Sequence, residues 1–395
     1  MNALREKIEG EIQQRGPISF SRYMELCLYD EEFGYYSRNA EQFGKAGDFF
    51  TSSDVHAVFG RLMARQFEEM WRVLGRPARI VIEELGPGRG LFSRDVLDWA
   101  GKKFPEFFEA LHYVLVERSP ALRRRIERAL EKYLGSGKAE LAGPSAESPA
   151  NPTARNIGEN RGTPRSSSLA QNEISKIVFA NELFDALPVE IVSSDGSLRI
   201  HVRGGRFGET WVPASAEELE FLDRFSVHPE PRERLEVPLR SQASMAQAVN
   251  FERGFVIAID YGYTRNEQLA GRHRGTLKAI RQHSVSANPY EAPGEQDITA
   301  DVNFTALTAA VEARGGRAEK LVTQSQFLMG IGEANQFADA FEDCRLPQER
   351  TKVALQLKHL VTPAGMGESF HVLVASKGVE VEKVRSLAGL SFGKK

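Results

Sequence analysis

The sequence predicts an α/β protein built on a doubly wound parallel β-sheet. Short apolar runs alternate with segments in which apolar residues recur at helical spacing. A glycine cluster stands between the first apolar run and the first helical segment, and polar residues end several of the runs. The predicted strands lie at 80–82, 111–116, 177–180, 255–259 and 370–374.

The first strand–helix unit contains the glycine cluster. Residues 80–82 are Ile-Val-Ile, and they lead through Glu83-Glu84-Leu85 into Gly86-Pro87-Gly88-Arg89-Gly90. Apolar residues then follow at helical spacing, at Phe92, Val96, Trp99, Ala100 and Phe104. The pattern predicts a strand, a glycine loop and a helix in direct succession.

The second unit repeats this arrangement. Residues 111–116 form an apolar run that Glu117 ends, and Ser119-Pro120 supplies a helix N-cap and a favourable first helical residue. The later runs end on Asn181-Glu182 and on Asp260. Because ligands bind at the carboxyl ends of the strands in such sheets, we expect these polar residues to converge on one site.

The length of 395 residues fits either two domains or one domain with large insertions. The strands predicted after residue 303 are needed to complete the sheet that begins near residue 79, so we expect one elaborated domain at 76–395 behind an N-terminal helical cap at 1–75.

Short antiparallel strands are predicted in an insertion at 188–253, on the substrate side of the domain. This insertion either serves the substrate or stabilises the fold. A second insertion covers 263–303. The segment 143–172 lacks aromatic residues and is predicted to be a mobile loop, either a lid, a docking segment or a tolerated insertion.

Composition excludes several classes of protein. The formal charge is −3, so the chain has no net positive field that would favour binding to nucleic acid. No apolar run reaches the roughly 18 residues that span a bilayer, which predicts no membrane insertion. The two cysteines are far apart, and the eight histidines show no metal-ligand spacing, so we predict a cytoplasmic protein without a metal. The oligomeric state is left open.

The glycine spacing distinguishes between nucleotide cofactors. A nicotinamide-binding loop has Gly-x-Gly-x-x-Gly, whereas this loop has Gly86-x-Gly88-x-Gly90, with Glu84 ahead of it. An acidic residue before such a loop suits a ligand that carries an ammonium group and no phosphate, as S-adenosylmethionine does. Glu117, at the end of the next strand, suits the vicinal hydroxyls of a ribose. The loop therefore favours S-adenosylmethionine over a nicotinamide cofactor.

The motifs along the chain resemble those of the MidA-like proteins, the family that includes a mitochondrial complex I assembly factor. The matching segments cover residues from 16 to 375 and include Gly16-Pro17-Ile18-Ser19-Phe20, Glu84-Leu85-Gly86-Pro87-Gly88-Arg89-Gly90, Ala180-Asn181-Glu182, Phe184-Asp185-Ala186-Leu187-Pro188, Asp260-Tyr261-Gly262 and Asp297-Ile298-Thr299-Ala300. The resemblance implies a Rossmann-like fold of the class I methyltransferases and transfer of a methyl group from S-adenosylmethionine. It further implies a protein acceptor, with an arginine guanidinium and a respiratory complex I subunit as the expected target.

This sequence departs from the family pattern at several positions. Ser53-Asp54 stands where Pro-Glu is usual, Glu31 follows Asp30 where Pro is common, and Asp301-Val302-Asn303 replaces His-Val-Asp. The Trp-His segment expected before the fourth strand is absent. These departures motivate an alternative function, a non-catalytic assembly chaperone that binds a respiratory-complex subunit.

The resemblance and the strand ends together predict the site residues. Glu182 and Asp185 are expected to orient the acceptor, supported by Asp260 or Asp297, although Asp185 could instead cap a turn and Asp260 could be a solvated strand end. The predicted cofactor contacts are Thr51, Ser52, Glu84, Gly86, Gly88, Gly90, Glu117 and Asn181. Aromatic residues concentrated in the first 50 positions either cover the cofactor or pack within the cap.

Overall fold

A mixed β-sheet between two helical layers forms the centre of the computed structural model, which describes residues 2–38, 57–143, 174–281, 284–286 and 288–393. The strands are β1 (Ile18–Ser19), β2 (Ile80–Leu85), β3 (Leu111–Val116), β4 (Ala139–Ala142), β5 (Ser175–Asn181), β6 (Glu190–Ser193), β7 (Gly196–Arg203), β8 (Arg206–Val212), β9 (Leu235–Val237), β10 (Gly254–Tyr263), β11 (Lys278–Arg281), β12 (Ser284–Ser286), β13 (Asp297–Thr299), β14 (Val302–Asn303), β15 (Arg317–Ala318), β16 (Val322–Thr323) and β17 (Phe370–Lys377).

The helices cover both faces of this sheet and the region above its carboxyl edge. They are α1 (Ala3–Arg15), α2 (Phe20–Tyr29), α3 (Tyr35–Arg38), α4 (Ala57–Val73), α5 (Leu91–Lys103), α6 (Pro105–Ala110), α7 (Pro120–Ala129), α8 (Glu131–Gly135), α9 (Ala216–Phe225), α10 (Leu239–Ala248), α11 (Arg265–Leu269), α12 (Phe304–Ala313), α13 (Gln324–Glu333), α14 (Ala338–Phe341), α15 (Pro347–Val361), α16 (Val381–Arg385) and α17 (Ala388–Ser391).

The central sheet has the strand order β15-β17-β10-β5-β2-β3-β4. Strands β2, β3, β4, β5 and β10 are parallel, as the alternating pattern predicts. The last strand differs from the prediction, because β17 runs antiparallel to β10. Its first residue, Phe370, lies beside Tyr261 near the end of β10, so the chain enters β17 from the edge at which the parallel strands finish.

Successive side chains of the buried strands point to opposite faces of the sheet, so apolar residues fill the core on both sides. Ile177 and Phe179 of β5 contribute to the core on one face, whereas Val178 and Ala180 contribute to the core on the other. On the first face, the ring of Phe179 stacks on that of Phe92 from α5, with 4.6 Å between centroids. This contact packs the start of α5 against β5.

The N-terminal segment and the 188–253 insertion share a second sheet with the order β1-β7-β6-β9, to which β8 is added by pairing with β7. The predicted antiparallel strands of the insertion are present as β6, β7 and β8. Helices α1 and α2 pack on this sheet through a shared apolar core. Helix α4, within the predicted cap at 1–75, packs instead on the central sheet through residues such as Phe59 and Phe67, so only 2–38 of the described residues form the cap.

The second predicted insertion, 263–303, forms α11 and a small sheet of β12, β11 and β13. Strand β13 begins at Asp297, and its pairing with β11 holds that residue at the carboxyl edge of the central sheet. Residues 144–172 of the predicted mobile loop lie outside the described residues, as do the predicted cofactor contacts Thr51 and Ser52.

Candidate cofactor and acceptor site

The glycine loop joins β2 to α5 with three residues at positive φ: +67° for Gly86, +56° for Gly88 and +72° for Gly90. A Cβ atom on Gly90 would lie 3.3 Å from Cγ1 of Ile126, and one on Gly86 would lie 3.0 Å from the side chain of Leu183. A Cβ on Gly88 would meet no atom within 4 Å. Two glycines thus allow tight packing of the loop, while Gly88 faces open space.

A cavity lies at the carboxyl edge of the sheet, between the glycine loop and the N-terminal cap. Eight of the predicted site residues line it: Glu84, Gly86, Gly88, Glu117, Asn181, Glu182, Asp185 and Asp297. Gly90 and Asp260 are not in the lining. The lining residues at the ends of β2, β3 and β5 were predicted from their strand ends, whereas Asp297, the first residue of β13, was predicted from the family resemblance.

Glu84, the penultimate residue of β2, is a buried carboxylic acid in the cavity wall. Its side chain is 5% exposed, and its Oε2 accepts a hydrogen bond from the hydroxyl of Tyr113 at 2.8 Å. Burial raises the pKa of the Glu84 carboxyl to about 8, and the hydrogen bond from Tyr113 opposes that rise. A cation bound beside this carboxyl group would lower its pKa and favour the ionised form.

Glu117 follows β3 and is held by the main chain around it. Its Oε1 accepts a hydrogen bond from the N–H of Ser119 at 2.7 Å, and Ser119 in turn caps α7 as predicted, by accepting from Leu122. Burial raises the pKa of Glu117 to about 7, whereas hydrogen bonds from the N–H groups of Ser119, Arg118 and Gly88 and the charge of Arg123 lower it. A carboxylate so fixed at a strand end can accept hydrogen bonds from two adjacent hydroxyls.

Asp185 lies in the turn after β5 and lines the same cavity as Glu117. Its Oδ2 accepts a hydrogen bond from the hydroxyl of Tyr261 at 2.7 Å. Its Oδ1 is buried and has no hydrogen-bond partner among the described residues. Burial raises the pKa of Asp185, and the hydrogen bond from Tyr261 lowers it. An unsatisfied buried carboxylate oxygen in a cavity wall is costly unless a ligand pairs with it.

Asp260 lies behind the cavity wall, with no exposed surface. Its Oδ2 accepts hydrogen bonds from the N–H groups of Phe184 and Asp185, at 2.9 and 3.3 Å. Its Oδ1 accepts from the N–H of Tyr261 at 3.0 Å. The expected direct support of an acceptor does not fit this position, because these main-chain groups surround the carboxylate. Its structural role is to hold the turn that carries Asp185.

The other predicted acceptor residues lie in the cavity wall. Glu182 has a φ of +51°, unusual for a residue with a side chain, and its Oε1 accepts a hydrogen bond from Nδ2 of Asn181 at 2.9 Å. Asp297 accepts from the hydroxyl of Tyr36 at 3.1 Å. Tyr36 belongs to α3 of the cap, so this bond joins the cap to the strand end that carries Asp297.

Several residues of the site were not predicted individually. Tyr29 and Tyr36 line the cavity with their rings 5.4 Å apart, and Tyr29 donates to the carbonyl of Ala186. Arg118 lies over the ring of Tyr29, 5.5 Å from its centroid. The aromatic richness of the first 50 residues was a signal for the tyrosines, but it did not separate ring contacts in the cavity from packing in the cap.

The cavity fits S-adenosylmethionine on three structural grounds. Gly88 leaves open space at the loop, Glu84 offers a buried carboxyl near it for an ammonium group, and Glu117 offers a carboxylate for ribose hydroxyls. Within the described parts of the chain, no group of three or more His, Cys, Asp or Glu side chains could hold a metal ion. No helix in those same parts has the length and apolar character needed to cross a bilayer.

Comparisons with known proteins agree with this description. Residues 62–322 match a family described as "Putative S-adenosyl-L-methionine-dependent methyltransferase". The chain is 27% identical to the mitochondrial protein arginine methyltransferase NDUFAF7 homolog of Drosophila melanogaster, over 95% of this chain and 85% of that protein. For the human NDUFAF7 protein, the identity is 25% over 91% of this chain and 80% of that one.

A solved structure extends the similarity to the whole fold. A likely methyltransferase from Burkholderia thailandensis, bound to S-adenosylhomocysteine, has a TM-score of 0.79 and 25% identity, and the match covers 98% of this chain and 94% of that chain. The predicted sheet, cofactor and family resemblance are thereby confirmed. The glycine loop, the two strand-end glutamates and the family match make this chain a member of the MidA-like family of S-adenosylmethionine-dependent methyltransferases.

Proposed function

We propose that this protein transfers a methyl group to the guanidinium of an arginine side chain in a protein substrate. The observation that carries the proposal is the buried, unpartnered Oδ1 of Asp185 in the same cavity as Glu84 and Glu117. A carboxylate beside the methyl donor can pair with a cationic acceptor and remove a proton from it.

The charge of the cavity supports a cationic acceptor. Among the described residues that line it, acidic side chains outnumber arginines six to two: Glu31, Glu84, Glu117, Glu182, Asp185 and Asp297 against Arg89 and Arg118. Such a wall favours cations over neutral or anionic side chains. Three of these six carboxyl groups, Glu84, Asp185 and Asp297, each accept a hydrogen bond from a tyrosine hydroxyl, which fixes their orientation.

The aromatic wall supports a planar cation in particular. Tyr29 and Tyr36 present two tilted rings beside the carboxylates, and a guanidinium can stack on such a ring while it donates hydrogen bonds in its own plane. The chain already contains one example, since the guanidinium of Arg118 lies over Tyr29. A lysine ammonium would make fewer directed contacts with the same groups.

The chemistry required of the protein is modest. S-adenosylmethionine supplies a methyl group bound to a sulfonium sulfur, and the neutral thioether that remains after transfer is a good leaving group. The side chains of this protein need to orient the acceptor, exclude water and receive one proton. Asp185 is placed to receive that proton, because its Oδ1 has no hydrogen-bond partner among the described residues.

The relatives named as protein arginine methyltransferases support the same acceptor, at 25–28% identity. We also propose a respiratory-complex subunit as the protein substrate, on the basis of the family resemblance. Action in the cytoplasm is proposed from the cysteine content of the sequence.

The test uses tritiated S-adenosylmethionine, the purified protein and arrayed peptides that contain arginine, with each arginine replaced by lysine in a matched array. The labelled peptide is hydrolysed, and methylarginine is identified by chromatography. We expect label on arginine peptides, and an Asp185→Asn variant should bind S-adenosylhomocysteine but lose transfer. Label on lysine peptides alone would contradict the proposed acceptor. Capture of a host protein without any labelled product would favour the assembly-chaperone alternative.

A further inference from the structure

Besides the Tyr36–Asp297 pair, two further pairs join a carboxyl group of the cavity wall to a tyrosine outside the cavity lining. Tyr113 of β3 donates to Glu84 at 2.8 Å, and Tyr261 of β10 donates to Asp185 at 2.7 Å. Burial raises the pKa of both tyrosines, so each hydroxyl keeps its proton and acts as a donor. Glu84 lies beside the glycine loop, whereas Asp185 lies after β5. One pair therefore belongs to the cofactor side and the other to the acceptor side.

The acceptor-side pair is fixed by a third residue. The buried carboxylate of Asp260 accepts hydrogen bonds from the main-chain N–H groups of both Asp185 and Tyr261. It also accepts from the N–H of Phe184, which precedes Asp185 in the turn. The main chain at both ends of the Tyr261–Asp185 hydrogen bond is therefore held by one side chain, and the two residues cannot easily move apart.

This arrangement leaves one oxygen of Asp185 for another partner. Tyr261 occupies Oδ2, while Oδ1 has no hydrogen bond within the described residues. We propose that Tyr261, held by Asp260, is a positioning residue that orients Asp185 so that Oδ1 receives the proton of the acceptor nitrogen. This inference rests on the proposed function, because it gives Asp185 the role of proton acceptor.

The proton and electron balance of the step is simple. A guanidinium N–H proton moves to Oδ1 of Asp185, and the lone pair left on nitrogen forms the new bond to the methyl carbon. The carbon–sulfur bond breaks, and its electron pair stays on sulfur. The sulfonium loses its positive charge, the methylated guanidinium keeps one, and the carboxylate becomes a neutral acid, so the total charge is unchanged.

The titratable and charged groups around Asp185 determine whether the pKa of its carboxyl group rises or falls. Tyr29 of α2 and Tyr36 of α3 face it from the cap, and both hydroxyls stay protonated because burial raises their pKa. The acidic neighbours are Asp260 on β10, Glu182 in the same turn, Asp297 on β13 and Asp301 after it, and Arg118 is the nearby cation. Burial raises the pKa of Asp185, and the Tyr261 hydrogen bond lowers it.

The test compares three tyrosine-to-phenylalanine variants. Tyr261→Phe removes the donor to Asp185, Tyr113→Phe removes the donor to Glu84, and Tyr263→Phe removes a buried hydroxyl on the same strand, outside the cavity lining. Transfer to an arginine peptide is measured from pH 5 to 9 at saturating S-adenosylmethionine. For Tyr261→Phe, we expect the acid limb of kcat to move up by about one pH unit, with activity recovered at high pH.

The matched variants separate positioning from loss of structure. Tyr113→Phe should weaken binding of S-adenosylhomocysteine and leave the acid limb in place, and Tyr263→Phe should change neither. A Tyr261→Phe variant with an unchanged acid limb, or with a uniform loss of activity at every pH, would overturn the inference.

A second measurement does not depend on the acceptor. Carboxyl carbon-13 NMR of aspartate-labelled protein, bound to S-adenosylhomocysteine, identifies Asp185 by its loss in Asp185→Asn. We expect its titration midpoint to rise in Tyr261→Phe, and an unchanged midpoint would overturn the inference. If the midpoint rises but the wild-type protein methylates no arginine peptide, the positioning of Asp185 stands and the proposed acceptor is wrong.

Discussion

The guanidinium of Arg123 donates from Nη1 to the main-chain oxygen of Glu117, at 3.2 Å. The same nitrogen donates to the carbonyl of Ala142 at 2.7 Å, so one side chain joins the ends of β3 and β4. Arg123 belongs to a run of three arginines, of which Arg124 is exposed. Arg123 itself supports the strand end that carries Glu117.

Replacement of Arg123 by Ala should therefore affect both stability and cofactor binding. Two strand-end carbonyls lose a charged donor, which should lower the free energy of unfolding by about 1.5–3 kcal/mol. Glu117 also loses a nearby positive charge, so binding of S-adenosylhomocysteine should weaken. Urea denaturation and calorimetry measure the two effects. Arg124→Ala, at an exposed position of the same helix, is the matched control, and equal losses in both variants would contradict this role.

The open space at Gly88 gives a direct test of the cofactor loop. Gly88→Val places a side chain where a Cβ meets no protein atom, in space that the ligand is expected to fill. We expect affinity for S-adenosylhomocysteine to fall by about 100-fold or more, together with about 1–3 kcal/mol of backbone strain. Gly137→Val is the control, because Gly137 also has a positive φ of +72°, a Cβ there would meet no atom within 4 Å, and the residue lies outside the cavity lining.

The control separates strain from obstruction of the ligand. Both variants should lose similar stability in urea, but only Gly88→Val should lose the calorimetric signal of S-adenosylhomocysteine. Normal binding by a folded Gly88→Val protein would show that the ligand does not approach this loop.

Local patterns were sufficient to predict that the residues assigned to the cofactor would meet at one edge of the sheet. Glu84, Gly88 and Glu117 each follow or end a strand, and parallel strands bring their carboxyl ends to one edge whatever the loops do. The roles of Tyr113 and Tyr261 could not be read in the same way. Each depends on which part of a neighbouring strand, or of the turn after it, comes to lie beside the tyrosine, and that placement is set by the assembled sheet and not by nearby sequence.

The cap tyrosines of the cavity and the direction of the last strand also could not be predicted from nearby sequence. Tyr29 and Tyr36 reach the cavity because α2 and α3 pack on a sheet that joins β1 to strands almost 200 residues further along the chain. The apolar run at 370–374 predicts a buried strand, but a run that is apolar on both faces does not specify its direction. The antiparallel orientation of β17 therefore emerges only from the assembled sheet.

Removal of Asp260 tests its role behind the cavity wall. In Asp260→Ala, the N–H groups of Phe184, Asp185 and Tyr261 lose their acceptor in a buried place, and each unsatisfied group costs about 1–3 kcal/mol unless water replaces it. We expect a large fall in the free energy of unfolding, measured in urea. Asp195→Ala, in an exposed turn, should change it little. A fully stable Asp260→Ala protein would contradict the proposed support of the Asp185 turn.

Binding of the cofactor should release protons near neutral pH. Burial raises the pKa of Glu84 to about 8 and that of Glu117 to about 7, so the free protein holds these protons more tightly than the unfolded chain does. Their contribution to stability is therefore present below a pH of about 4.5 and is lost as the pH rises through 7 and 8. A bound ammonium group beside Glu84 favours the ionised carboxylate, so binding lowers the pKa of Glu84 and releases its proton.

The expected result is an affinity for S-adenosylmethionine that increases as the pH rises from 6 to 8, with proton release at pH 7. Calorimetry in phosphate and in Tris measures that release, because the two buffers take up a proton with different enthalpies. Glu84→Gln should bind more weakly and lose most of the pH dependence, whereas Glu83→Gln, one residue earlier on β2 and outside the cavity lining, should retain it. An affinity that is constant from pH 6 to 8 in the wild-type protein would show that neither glutamate ionises when the cofactor binds.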